Sequence, residues 1–127
     1  MNFPKDLKYS KEHTWIRMEG ESGIIGITDF AQSQLGEIVY VDLPSVGNEF
    51  GIDEAFGSVE ALKTVSDLFM PISGEIIEIN EVINDRQESV NEKPYTDGWL
   101  IKIKPSNPVE LSNLLDADSY ENLTDSN

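Results

Sequence analysis

The sequence predicts a mainly β protein, a small barrel or sandwich with one short helix early and one helix near the end. Three observations favour this fold class. Short strand-like segments, rich in β-branched and aromatic residues or alternating in polarity, recur along the chain, and turn residues such as Gly and Pro separate them. Two segments carry the signals of a longer helix, and a capping box at residues 84–87 is expected to open a single helical turn. With 127 residues the chain amounts to one domain, which can bury a core without disulfide or metal staples.

The chain opens with a predicted β-hairpin. Residues 12–19 alternate between two faces, a Glu-Ser-Gly turn follows, and residues 24–27 form the second strand. We expect Trp15 to be a core residue. We expect His13 to be a hydrogen-bonded structural histidine, since no residue nearby completes a catalytic triad with it.

A short helix is predicted over residues 28–36. Thr28 suits the N-cap, Asp29 complements the helix dipole in the first turn, and Gly36 suits the position after the last turn. Later strands are predicted at residues 38–41, 48–52, 74–80 and 99–104.

The second helix is predicted near the end of the chain. Asn107 suits its N-cap, Pro108 its first position and Glu110 its third. An apolar stripe follows at Leu111, Leu114, Leu115 and Leu123. The single domain is therefore expected to have a core at about residues 5–106, a helix at about 108–123 and a frayed tail at 124–127.

Composition excludes several classes of function. The net charge of −15 argues against binding nucleic acids or anionic membranes, and it fits a monomer that meets basic patches on its partners. The chain has no cysteine and one histidine, so neither a thiolate or histidine metal site nor a cysteine nucleophile is expected. No apolar run approaches the roughly 20 residues that a membrane span needs, and no signal or transit peptide is evident. A cytoplasmic location is therefore expected unless a leader was removed.

Lys63 is isolated in the charge pattern. It is the only lysine or arginine between Arg17 and Arg86, a span that also contains fourteen acids. The ordinary interpretation is a stray surface lysine. Because surfaces normally mix both signs of charge, the isolation could instead mark a functional residue.

Local patterns leave two structures open around Lys63. Apolar residues at helix-like spacing and good helix formers favour an amphipathic helix over residues 58–69. Thr64, Val65 and Pro71 instead favour a β-hairpin with Leu62 and Lys63 at its tip. The tip lacks the Asn-Gly or Gly-X pairs that two-residue turns prefer.

Five segments, among them Val59-Glu-Ala-Leu-Lys63 and Tyr95 to Ser106, occur in the order and with the spacing of a known family. In these segments the chain resembles the glycine cleavage H-protein family. Val59-Glu-Ala-Leu-Lys63 resembles a lipoyl-lysine attachment site, and Gly74 follows Lys63 at the usual spacing of eleven residues. The resemblance spans about residues 5–123. Its segments are Leu7-Lys-Tyr-Ser with His13 and Trp15, Ile25 to Gln32, Leu35 to Pro44, Val59 to Glu75 and Tyr95 to Ser106.

The resemblance implies a barrel-sandwich hybrid of the lipoyl-domain type, as one lipoyl-carrier domain with Lys63 on an exposed hairpin tip. It implies lipoate bound to Lys63 through an amide, and Gly57, Pro71 and Gly74 as structural positions of the motif. Glu60, three residues before the lysine, is the acid that the lipoylating enzyme is expected to recognise.

The resemblance also implies a set of partners for a non-catalytic carrier. A pyridoxal-phosphate glycine decarboxylase loads the lipoyl arm with an aminomethyl group. A tetrahydrofolate-dependent aminomethyltransferase unloads it, and dihydrolipoamide dehydrogenase reoxidises it. A lipoate ligase or lipoyltransferase attaches the cofactor.

The aminomethyl group on the loaded lipoyl arm ends in an amine, which carboxylates can hold by charge-assisted hydrogen bonds. In this family an acid often stands where this chain has Thr14. Glu12 lies two residues earlier, on the same face by strand periodicity, and could replace it. We expect Glu12 and Asp67 to hold the amine, although both could equally be solvated acids.

Three other functions remain open from the sequence. An H-like protein could relay lipoate to other proteins, which would also require Lys63. A Schiff-base enzyme would require burial or neighbouring cations around the lysine, and acids surround it instead. A plain binding module would leave Lys63 unmodified.

Overall fold

The computed structural model describes residues 1–125, and strands dominate their regular structure. Within this part of the chain the strands are β1 (Lys8–Tyr9), β2 (Thr14–Glu19), β3 (Ser22–Ile27), β4 (Ile38–Asp42), β5 (Glu49–Phe50), β6 (Ala55–Ala61), β7 (Val65–Phe69), β8 (Gly74–Ile79) and β9 (Ile101–Pro105). The α-helices are α1 (Asp29–Leu35), α2 (Glu88–Glu92) and α3 (Ala117–Asp125), and 3-10 turns lie at Glu81–Asn84 and Pro108–Asn113. The prediction of a mainly β fold is confirmed.

The strands form two antiparallel sheets. Six strands lie in the order β1-β2-β3-β9-β8-β5, and three lie in the order β4-β6-β7. The predicted first hairpin is confirmed, because β2 pairs with β3: Thr14 lies opposite Ile27 at one end and Glu19 lies opposite Ser22 at the other. None of the helices in residues 1–125 has the length and apolar character needed to cross a membrane.

Trp15 is a core residue, as predicted. Its side chain is fully buried, and its indole N–H donates to the carbonyl oxygens of Ile27 (2.9 Å) and Pro94 (3.1 Å). A Cβ at Gly26 would lie 2.7 Å from the indole, so only glycine lets the ring lie this close to β3.

Two apolar clusters hold the sheets together. The larger combines residues of both sheets, and the smaller is an aromatic cluster at the end where the first strand meets the last helix. The larger cluster includes Ile16, Ile25, Val41, Val59, Leu68, Ile76 and Ile103, and the smaller includes Leu7, Tyr9, Trp15, Tyr95 and Tyr120. Burial of this apolar surface is the main favourable contribution to folding.

The predicted early helix is confirmed together with its cap. The Thr28 hydroxyl accepts a hydrogen bond from the Ala31 N–H (3.1 Å), and Asp29 lies in the first turn. Gly36 ends the helix at φ +80°, a conformation that favours glycine.

The helix predicted at residues 108–123 is wrong in its extent. A 3-10 turn at Pro108–Asn113 is followed by extended chain, and the α-helix begins only at Ala117. Asn107 makes no side-chain capping bond. The Glu110 carboxylate accepts hydrogen bonds from Ser73 instead, at 2.9 Å from N–H and 2.6 Å from the hydroxyl.

Pairing with the first strand interrupts the helix. Tyr9 and Leu115 exchange two backbone hydrogen bonds of 2.8 Å, which require extended chain at Leu115. Asp116 then caps α3, because its carboxylate accepts from the Ser119 N–H (2.8 Å), a bond that lowers the pKa of Asp116. The predicted leucine stripe therefore spans two separate segments.

The tail predicted to fray at residues 124–127 is only partly described. Thr124 is buried within α3, and its hydroxyl donates to the Glu121 carbonyl (2.8 Å). Asp125 is the last residue of that helix. Residues 126 and 127 lie outside the described residues.

Gly57→Ala should destabilise the protein strongly. A Cβ at Gly57 would lie 2.2 Å from the Asp42 carbonyl oxygen, so β4 and β6 would have to separate. We expect the free energy of unfolding to fall by about 1–3 kcal/mol, measured by urea denaturation. Ser58→Ala, at the next position of β6, is the control and should change it by less than about 0.5 kcal/mol. Equal midpoints for the two variants would contradict this account of Gly57.

Candidate functional site

Lys63 lies at the tip of a β-hairpin. In strands β6 and β7, Ser58 lies opposite Asp67 and Glu60 lies opposite Val65. The turn between them closes with a hydrogen bond from the Ala61 N–H to the Thr64 carbonyl (2.8 Å). The hairpin alternative is therefore correct, and the helix alternative for residues 58–69 is wrong.

The tip extends away from the core. Leu62 is 69% exposed, Val65 is 64% exposed, and Lys63 is exposed as well. Within residues 1–125, the Lys63 ammonium takes part in no ion pair or hydrogen bond. An unpaired ammonium at a tip adds nothing to stability, but it is accessible to a large partner.

Glu60 lies on the exposed face of the three-stranded sheet. It is paired in register with Val65 on one side and Tyr40 on the other. Its carboxylate is exposed, and Tyr40 is 51% exposed. An enzyme that reaches the Lys63 amine would meet this mixed acidic and apolar surface.

Gly57, Pro71 and Gly74 lie where the β6–β7 hairpin joins the rest of the fold. Gly57 allows the close approach of β4 to β6 described above. A Cβ at Gly74 would lie 2.8 Å from the Lys104 carbonyl, so glycine is needed where β8 pairs with β9. Pro71 is buried in the connection from β7 to β8, where continued strand pairing is not required.

A cleft of about 440 Å³ lies between α1 and β7. Its β7 wall begins at Ser66, three residues after Lys63, so the Cα atoms of Ser66 and Lys63 are at most about 10 Å apart. The lining residues are Glu12, His13, Thr14, Ile27, Phe30, Ala31, Gln34, Leu35, Val59, Ser66, Asp67 and Leu68. We refer to this space as the α1–β7 cleft.

The structure brings Glu12 and Asp67 to the same cleft from distant parts of the chain. The reason expected for Glu12 is wrong, because it precedes β2 in a turn and the φ of +70° at His13 breaks the strand alternation. Thr14 also lines the cleft, but its buried hydroxyl is already bonded to the Ser10 hydroxyl (2.7 Å) and the Phe69 carbonyl (3.1 Å). The one hydroxyl proton of Thr14 is therefore already donated within the protein.

His13 is hydrogen-bonded, as predicted. Its Nδ1 lies 2.7 Å from the Tyr120 hydroxyl, and its ring lies 5.1 Å from that of Phe30. Burial lowers the pKa of His13, while the neighbouring Glu12 carboxylate acts in the opposite direction. The ring is therefore neutral at neutral pH.

Sequence reasoning missed two contributors to the site. Gln34 lines the cleft from α1, and its signal is its position one turn after Phe30 and Ala31 on a helix that directly follows β3. Tyr120 is buried behind His13, and an aromatic residue within the polar sequence Ala117–Asp125 is the signal that could have identified it. No group of three or more His, Asp or Glu side chains that could hold a metal ion is found in the described part of the chain.

Two sheets, a lysine on a protruding hairpin and an adjoining cleft define a barrel-sandwich hybrid of the lipoyl-domain type. The fold matches that of a glycine cleavage system H protein from Mycobacterium marinum with a TM-score of 0.86 and 36% sequence identity, covering 94% of this chain and 96% of that one. The sequence model of the family described as glycine cleavage H-protein matches residues 7–127.

Curated relatives agree with the structural match. The glycine cleavage system H protein of Geobacillus kaustophilus is 57% identical over 121 residues, covering 95% of both chains. That of Bacteroides fragilis is 52% identical over 121 residues, covering 95% of this chain and 96% of the other. That of Bacillus subtilis is 53% identical over 124 residues, covering 98% of both. The chain belongs to the glycine cleavage H-protein family, whose members are carriers in the glycine cleavage system.

Replacing His13 should remove one pH-dependent contribution to stability. Since burial lowers the pKa of His13, the unfolded chain binds more protons than the folded protein once the pH falls below the ordinary value of about 6.5. The free energy of unfolding of the parent protein should therefore fall between about pH 7 and about pH 5.5 by more than that of His13→Gln.

Urea denaturation at both pH values measures this difference. His13→Asn is a second variant, because Asn tolerates a positive φ better than most residues do, and it should behave like His13→Gln. An equal loss of stability in the parent and in both variants would show that His13 does not titrate on unfolding.

Proposed function

We propose that this chain is the lipoyl-carrying shuttle of a glycine cleavage system, with lipoate bound through an amide to Lys63. The observation that carries the proposal is the exposed, unpaired Lys63 at the tip of the β6–β7 hairpin, in a chain that belongs to the H-protein family. We also propose that the whole chain is one lipoyl-carrier domain and acts as a monomer.

The residues present fit this cofactor. Amide formation requires an accessible primary amine and removes its positive charge. The Lys63 amine is exposed, and within residues 1–125 no ion pair would be lost on modification. The bound cofactor would supply a redox-active dithiolane that can accept the aminomethyl group.

The chain itself supplies a tether and a shelter. A hairpin tip holds the arm where it can reach successive partner enzymes, which raises its effective concentration at each. The α1–β7 cleft begins at Ser66, within about 10 Å of Lys63, and is partly apolar, so it can shield a hydrolysable group from water. Glu12 and Asp67 at this cleft would hold a cationic amine.

Partners follow from the proposed reaction. Glycine decarboxylase, aminomethyltransferase and dihydrolipoamide dehydrogenase would act on the arm, and a lipoate ligase or lipoyltransferase would attach it. The net charge of −15 favours docking on basic surfaces of these enzymes. Glu60 beside the tip is our candidate for recognition by the attaching enzyme.

Lys63→Gln should abolish lipoylation. We expect purified parent protein to gain the mass of one lipoyl group when incubated with lipoate, ATP and a lipoate ligase, with peptide mass spectrometry locating it on Lys63. Lys104→Gln is the matched control, since Lys104 is another exposed lysine, on β9. Lys63 left unmodified in native cells whose other lipoyl proteins are loaded would refute the carrier function.

Glu12→Gln and Asp67→Asn should each speed hydrolysis of the aminomethyl-loaded protein by about two- to fivefold, because each removes one exposed carboxylate that would pair with the amine. The release of formaldehyde and ammonia measures the rate. Asp42→Asn is the control. Asp42 and Asp67 lie on either side of Ser58 in the three-stranded sheet, but Asp42 does not line the cleft. If all three variants hydrolyse at the parent rate, the two carboxylates do not hold the amine.

A role as lipoate donor to other proteins would also use Lys63. A reconstituted glycine cleavage assay separates the two roles. Lipoylated protein that supports glycine-dependent release of carbon dioxide with the other three enzymes is a shuttle, and one that does not support it is not.

A further inference from the structure

The Tyr120 hydroxyl joins the last helix to two residues beside the α1–β7 cleft, His13 and Thr28. Tyr120 is fully buried, and its oxygen lies 2.7 Å from His13 Nδ1 and 2.7 Å from the Thr28 hydroxyl oxygen. His13 lines the cleft, and Thr28 caps α1, which forms the opposite wall from β7.

The protons of these groups can be placed by counting donors and acceptors. The Thr28 oxygen accepts from the Ala31 N–H (3.1 Å), and its own hydroxyl proton needs an acceptor because Thr28 is fully buried. Within residues 1–125, Tyr120 is the acceptor available to it. The Tyr120 proton is then donated to His13 Nδ1, which leaves the ring proton on Nε2.

The reverse arrangement is less favourable. If Nδ1 carried the proton and donated it to Tyr120, Tyr120 would donate to Thr28, and the buried Thr28 hydroxyl proton would lose its acceptor. Burial raises the pKa of Tyr120 to about 12, so the phenol keeps its proton at neutral pH and can act as this donor.

We propose that His13 is a binding residue of the cleft, held by the Thr28–Tyr120 relay as a neutral ring whose Nε2–H donates to an acceptor atom of the arm, its amide oxygen or a sulfur. The identity of the occupant rests on the proposed function, whereas the tautomer does not. In the described part of the chain, Nε2 has no hydrogen-bond partner.

Three further observations support this assignment. The backbone fixes His13 at φ +70° through hydrogen bonds from its N–H to Ser10 and from the Thr28 N–H to its carbonyl, both 3.1 Å. Phe30 packs on the ring from α1. The charged side chains that line the cleft together with His13 are those of Glu12 and Asp67, so a neutral donor complements them without repelling a cationic amine.

The tautomer can be measured directly, since His13 is the only histidine in the chain. Two-bond ¹⁵N–¹H correlation spectra of the unmodified protein at neutral pH should show the proton on Nε2. A ring protonated on Nδ1 would overturn the proposal without any reference to lipoate.

Tyr120→Phe should shift the ring toward a mixture of tautomers, because Nδ1 loses its donor. Tyr95→Phe is the matched control, since Tyr95 is a buried tyrosine whose hydroxyl bonds to Asn2 and Asp29 instead, and it should keep the parent tautomer. An unchanged tautomer in folded Tyr120→Phe would overturn the relay.

Attachment of lipoate to Lys63 by a ligase, followed by aminomethyl loading, tests the binding role. We expect the His13 Nε2 resonance to shift on loading, and the loaded Tyr120→Phe protein to hydrolyse severalfold faster than loaded Tyr95→Phe. If Lys63 accepts lipoate but neither effect occurs, the role of His13 is refuted and the carrier function stands. If Lys63 never accepts lipoate, the carrier function is refuted together with this role.

Discussion

The pairing of β6 with β7 is the constraint on which the rest of the site depends. Val59 and Leu68 anchor the two strands in the core, and both are almost fully buried. Because these two residues fix the register, the strands must run on past the core and turn at Leu62 and Lys63. The same register places Ser66 and Asp67 along the α1–β7 cleft, so one pairing positions both the lysine and the cleft wall.

Charge contributes little to this architecture. The ion pairs in the described residues join atoms 3.5–4.0 Å apart, and most of the side chains involved are largely exposed. Each such pair contributes less than about 1 kcal/mol to the free energy of unfolding. The apolar clusters therefore stabilise the fold, and the acids chiefly set the negative charge of the surface.

Much of the fold could be predicted from local patterns, and the failures have identifiable causes. Strands such as β2 and β9 alternate clearly, and α1 carries its own cap at Thr28, so neither depends on distant contacts for its recognition. The hairpin tip was ambiguous because Leu62 and Val65 continue a helical spacing although both are exposed. Pairing with β4 on one side and with β7 on the other settles the conformation of β6, and a helical spacing within residues 58–69 reports neither.

The end of the chain shows the same limit. The helix signals at Asn107 to Glu110 were sound locally, but Leu115 pairs with Tyr9 and Glu110 bonds to Ser73. Of the candidate site, Lys63, Asp67 and Glu12 could be named from the sequence, but Glu12 reaches the cleft through an unforeseen turn and not by strand alternation. Tyr120 acts across 107 residues, a distance over which no local pattern is informative.

The order in which a ribosome makes these residues determines when the cleft can be completed. The hairpin bearing Lys63 and both faces of the α1–β7 cleft are synthesised before Tyr120, which locks His13 and Thr28 from behind. Contacts between distant segments close late, because the loop between them must first lose its entropy. A nascent chain can therefore display the lysine before the wall beside it is fixed. The cleft is complete only once α3, which carries Tyr120, has been made.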